Sequence, residues 1–135
     1  MSLLPIYQKY RDDVEFMVIY IREAHPTDKW WLAETKFMQV IANVVNPYPS
    51  YDIQEPRSID ERRSVAKTCS NKLLADIPVY IDNMDNQVDL KYVAWPTRTY
   101  FIGEDGRVVF DSGLGPYGLS YAELDKTITA YTAQK

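Results

Sequence analysis

The sequence predicts an α/β domain, a layered fold with a mostly parallel central sheet. Three observations point there. Helix-like and strand-like segments alternate along the chain. The first strand candidate, Val14 to Ile21, is almost continuously apolar, as a strand covered on both faces would be. A Gly-Glu-Asp-Gly turn at Gly103–Gly106 then joins two short apolar runs near the end, which reads as an antiparallel hairpin.

The elements follow in order. Leu3 to Asp13 reads as a short helix, with Leu4 and Tyr7 at helical spacing and Pro5 tolerable only in its first turn. Val14 to Ile21 is the first strand, stopped by Arg22-Glu23-Ala24-His25-Pro26. Thr27 to Pro56 holds Trp30, Trp31 and Phe37 and a proline-rich loop at Asn46–Ser50. Ser58 to Leu74 is the best-marked helix. Ser58 and Glu61 have the spacing of a capping box, and Ile59, Ala66, Cys69 and Leu73 share one face.

Ile77 to Ile81 is a short strand, and Asn86 to Val93 one or two helical turns. Thr97–Ile102 and Val108–Asp111 form the hairpin. Ser120 and Glu123 open a last helix that runs to about Tyr131. Right-handed crossovers restrict how such a chain can wind.

Bulk properties bound the function. With 135 residues the chain is one domain, 1–135. A net charge of −4 argues against nucleic acid or an anionic membrane as partner. The longest apolar run, Phe16 to Ile21, is too short to span a bilayer. With no basic-then-apolar leader at the start, a cytoplasmic location is expected.

One cysteine, Cys69, excludes an internal disulfide and a CxxC pair. Its place on the apolar face of a helix marks it as structural. One histidine and scattered carboxylates do not make a transition-metal site. The loop Gly113–Gly118 lacks the lysine and spacing of a phosphate loop.

His25 is the residue with the most chemical promise. It follows the carboxyl end of a strand, where open α/β sheets place ligands, and its ordinary pKa suits proton transfer. Glu23 is placed to orient it, and Asp28 to cap the next turn or bond to it. Trp30 and Trp31 are candidates for an aromatic wall, though core packing is the more usual role of such a pair.

The segment Val18–Trp31, VIYIREAHPTDKWW, resembles the signature of the iodothyronine deiodinases, a branch of the thioredoxin superfamily, with Glu23, Ala24, His25, Pro26, Asp28 and Trp30 in place. Gln54, Pro56-Arg57-Ser58 and Glu61-Arg62 are similar to a further stretch of the family, as are Asp82-Asn83-Met84-Asp85-Asn86, the hairpin residues Arg98, Tyr100 and Ile102, Gly106–Val109, and Gly115–Gly118.

The resemblance implies a thioredoxin-like fold and reductive removal of iodine from a phenolic ring. A thiol reductant would serve as co-substrate, with no bound cofactor. It implies that His25 and Glu23 handle protons, with Asp28, Trp30, Arg98 and Pro96 lining the site. Arg98 would lower the pKa of the nucleophile, and Trp95–Pro96 would be the cis bond that thioredoxin folds carry beside their active sites.

One departure is large. The family's selenocysteine or cysteine followed by Pro-Pro-Phe does not occur in these 135 residues, nor does the strand that carries it. Without that nucleophile the chain is expected to be inactive alone, and the resemblance implies that the strand is an inner one, whose absence exposes ladder edges. The edges of Val14–Ile21 and Thr97–Ile102 are expected to pair with each other or with a second copy in a homodimer. A peroxiredoxin-like or thioredoxin-like thiol oxidoreductase, and a catalytically silent binding domain, remain as alternatives.

Overall fold

In the computed structural model, residues 3–24, 26, 53–73, 76–115 and 117–134 are described. They contain four helices and four strands. Helix α1 is Leu4–Tyr10, strand β1 Val18–Tyr20, helix α2 Ile59–Leu73 and strand β2 Val79–Ile81. Helix α3 is Gln87–Tyr92, β3 and β4 are Tyr100–Ile102 and Val108–Asp111, and α4 is Tyr121–Thr132.

The caps explain where the helices start. Pro5 lies in the first turn of α1, where a missing N–H costs nothing. At α2, Ser58 Oγ accepts the Glu61 N–H at 3.2 Å. The return bond of the capping box is displaced by one residue: Glu61 Oε2 accepts the Arg57 N–H at 2.7 Å. At α4 the Ser120 hydroxyl accepts the Glu123 N–H at 3.3 Å. The Glu123 carboxylate turns instead to Lys126.

The sheet differs from expectation. In place of one central sheet, the described residues form two sheets of two strands, β1–β2 parallel and β3–β4 antiparallel. Val18, Ile19 and Tyr20 pair with Val79, Tyr80 and Ile81. The strand expected over Val14–Ile21 shrinks to these three residues because β2 is only three residues long. An extended run without a partner is not a ladder. Nor is it covered on both faces: Met17 is 54% exposed and Ile19 36%.

The hairpin forms as expected, with Gly103 N–H donating to Arg107 O at 2.8 Å and Gly106 at a φ of 78°. It is shorter, beginning at Tyr100, and carries an irregularity between Phe101 and Ile102.

The core joins the two ends of the chain. Ile6 and Tyr10 of α1 pack with Phe101 of β3 and with Leu124 and Ile128 of α4. Each such side chain contributes about 1.5–3 kcal/mol on burial. Phe16, Phe110 and Tyr131 close over this cluster, Tyr131 meeting Phe101 edge to face at 5.2 Å.

The edges of β1 and β3 do not pair with each other. Between residues 13–17 and residues 99–104 lies a cleft of about 460 Å³, floored by Leu124, Ile128, Tyr131 and Thr132. On β3, the Ser112 N–H bonds Thr99 O and the Gly103 N–H bonds Arg107 O. Antiparallel alternation therefore turns the peptide groups of Tyr100 and Ile102 away from β4, towards the open edge. By the same alternation Val18 and Tyr20 bond β2, and Met17 and Ile19 point the other way.

Candidate active site

The chain leaves β1 through Arg22, Glu23 and Ala24, and Pro26 is fully buried just beyond. Of the residues singled out in the sequence, His25, Asp28, Trp30 and Trp31 lie outside the described residues. Glu23, Pro96 and Arg98 are described.

Glu23 is partly buried. Its carboxyl pKa is raised above the ordinary glutamate range, first by loss of water and then by the charge of Glu55. A carboxyl of this kind keeps its proton longer than a surface glutamate and is suited to hand it on.

Opposite stands the Trp95–Pro96 corner, whose peptide bond is cis. The Trp95 indole N–H donates to the Glu23 carbonyl at 3.2 Å, so the cis corner and the exit of β1 touch directly. The corner is held in turn by α3. Val93 ends that helix in the left-handed region at φ 48°, and the Ala94 N–H returns to Asp89 O at 3.0 Å.

Arg98 pairs with a carboxylate across the hairpin. Its Nε donates to Asp111 Oδ1 at 2.7 Å, and its Nη2 bonds Asp111 Oδ2. This two-point pairing of guanidinium and carboxylate raises the arginine's pKa and lowers that of Asp111. The pair locks the start of β3 to the end of β4, and the Gly113 N–H also bonds Asp111 Oδ1 at 2.9 Å. Cys69 is half-buried on α2, whose most buried positions are Arg62 and Ala66.

Sequence reasoning missed three buried charged residues: Arg62, Asp82 and Asp89, at 1%, 2% and 3% exposure. Arg62 donates to Asp82 O at 3.1 Å, Asn83 O at 2.7 Å and Asn86 Oδ1 at 2.9 Å. Asp82 accepts the Val88 and Asp89 N–H groups at the start of α3. Their only sequence signal was that Arg62 and Asp82 fall inside stretches of family resemblance.

Fold and site together define an α/β domain in which a segment bearing a proton-retaining carboxyl leaves a strand and bonds a cis-proline corner through its main chain. The family model for iodothyronine deiodinase matches residues 3–132, and the chain belongs to that family. It is 33% identical over 129 residues to thyroxine 5-deiodinase of Sparus aurata, covering 93% of this chain and 41% of that protein. It is 30% identical to thyroxine 5-deiodinase of Ovis aries, over 93% of this chain and 38% of the relative. With type I iodothyronine deiodinase of Xenopus laevis it shares 27% identity, over 88% and 40%. The chain thus spans about two-fifths of the length of these relatives. The family is one of oxidoreductases, since removing iodine from carbon in exchange for hydrogen is a reduction. Among the described residues no helix is long and apolar enough to cross a membrane.

Proposed function

We propose that the complete protein removes iodine reductively from iodinated phenols of the thyronine type, and that residues 1–135 supply its proton-handling half. The observation that carries this reading is the contact of Glu23 with the cis Trp95–Pro96 corner, at the end of a strand whose other edge is open.

The cleft between residues 13–17 and 99–104 supports a strand seated there, bearing the selenol or thiol nucleophile and bonding the open edges of both sheets. The selenolate or thiolate takes iodine from the ring carbon, and that carbon receives a proton, with His25 and Glu23 as its source. Two equivalents of a thiol then reduce the selenenyl or sulfenyl iodide, releasing iodide and a disulfide. The ring gains two electrons, and the thiols lose them. Residues 1–135 alone would bind substrate without turning it over.

The test is iodide release from iodothyronines and iodotyrosines with dithiothreitol. The gene with its native flanking codons is assayed beside His25→Ala and beside residues 1–135. Release by the extended protein, lost in the other two, is the expected result. Peroxide consumption without iodide release would replace this reading with a thiol peroxidase. Binding of iodophenol without release would replace it with a silent binding domain.

A further inference from the structure

Four residues close a circuit around the exit of β1. Trp95 has two N–H groups, and both are spoken for. Its backbone N–H donates to Asp89 Oδ1 at 3.0 Å, and its indole N–H to Glu23 O at 3.2 Å. Asp89 Oδ2 meets Arg22 Nε at 2.7 Å. The approach lies off the N–H axis, so it is an ion pair and not an aligned hydrogen bond. The Arg22 guanidinium in turn sits 5.2 Å from the centre of the Trp95 ring.

Arg22 and Glu23 are adjacent in the chain, so the circuit runs Arg22, Asp89, Trp95, Glu23 and back. The Asp89 side chain is 4% exposed while that of Arg22 is 44% exposed. A buried carboxylate without a cation would be costly. Asp89 thus draws Arg22, and with it the start of the Glu23 segment, down onto the corner.

We infer that Asp89 is a positioning residue: through Arg22 and Trp95 it holds the Glu23 segment, two residues before His25, against the cis-proline corner. The inference deepens the proposed function, because it assigns the part that aims this site's proton-handling segment. Asp89 itself touches no reacting atom. Its effect is on where Glu23 stands.

The spectroscopic test needs no turnover. Residues 1–135 are labelled with fluorotryptophan, and the Trp95 resonance is assigned by its loss in Trp95→Phe. The wild-type resonance reports the indole bond to the Glu23 main-chain carbonyl. Asp89→Asn, which keeps the side chain's shape and removes its charge, should move the resonance, whereas Glu23→Gln, which leaves the main-chain carbonyl in place, should not. Asp89→Asn should also speed amide exchange at Ala24 and Trp95.

In the extended protein the same substitution should lower kcat by about tenfold, as expected for a small misplacement, with KM changed less than twofold. Arg22→Lys, which keeps a cation in reach of Asp89, should retain more activity than Arg22→Ala. A folded Asp89→Asn protein with the wild-type Trp95 resonance and wild-type exchange at Ala24 overturns the inference. If Asp89→Asn does not fold, Trp95→Phe decides. It removes the indole donor while keeping an aromatic ring, and unchanged exchange at Ala24 overturns the inference. Absence of iodide release in every form would sink the proposed function while the spectroscopic and exchange results still judge Asp89.

Discussion

Asp82 Oδ2 accepts the backbone N–H of Asp89 at 2.9 Å, so one buried aspartate caps the helix from which another reaches the site. The Asp82 Oδ1 atom takes the Val88 N–H at 3.0 Å in the same way. Asn86, which precedes the helix, has a left-handed backbone and gives no side-chain cap. Asp82 does that work from four residues earlier.

Replacement of Asp82 by alanine leaves the Val88 and Asp89 N–H groups without acceptors in a buried setting. The expected loss is about 2–3 kcal/mol, the range for a helix cap plus unmet buried donors. Urea unfolding with a two-state fit measures it. Asp82→Asn keeps one carbonyl oxygen and should recover part of the loss. Equal stability of the alanine variant and wild type would contradict the capping role.

Glu23 makes stability depend on pH in a defined direction. Its folded pKa lies above the ordinary glutamate value, through burial first and Glu55 second. The folded state therefore holds the proton more tightly than the unfolded chain. The associated stability is complete below the unfolded pKa, about 4.3, and is lost as pH rises through the folded value. Glu23→Gln removes this dependence. Relative to wild type, the glutamine variant should gain stability as pH rises from 4 to 7, read from urea midpoints. A constant difference across that range would show that the carboxyl titrates no differently in the folded chain.

Tyr10 links the first helix to the last. Its hydroxyl donates to Asp125 Oδ1 at 2.8 Å and meets Thr129 Oγ1 at 2.5 Å. Tyr10 is 5% exposed while the side chain of its partner Asp125 is 40% exposed, so these bonds lie at the rim of the core. Tyr10→Phe keeps the ring in the core and removes the hydroxyl, with an expected cost of about 1–2 kcal/mol in urea unfolding. A neutral result would mean that the ring alone ties α1 to α4.

Local chemistry was legible in the sequence wherever a residue type has one dominant use. Ser58 and Ser120 marked helix starts, Pro5 marked a first turn, and Gly103–Gly106 marked the hairpin. The Trp95–Pro96 corner was identified as a cis candidate through family resemblance. The Glu23 segment was legible through its motif. The extent of β1 was not, because apolarity at Val14–Met17 reports that a strand is possible, while the ladder depends on how long β2 is.

Arg62, Asp82 and Asp89 were not legible either. Charged side chains read as solvated, and nothing local says that polar groups six to 24 residues along the chain will enclose them. Arg98 illustrates the converse. Its place beside the hairpin was clear from the motif, but its commitment to Asp111 depends on strand register, which spacing alone does not supply.

The core has a consequence for how the protein is made. Ile6 and Tyr10 come from the first ten residues, whereas Leu124 and Ile128 come from the last dozen or so. A ribosome delivers α1 before α4, so the earlier helix waits for more than a hundred further residues before Leu124 and Ile128 can cover its apolar face. The central β1–α2–β2 unit has nearer partners and can form meanwhile. The decisive step of folding, closure of this core, therefore waits for α4, and termination before that helix leaves Ile6, Tyr10 and Phe101 without Leu124 and Ile128.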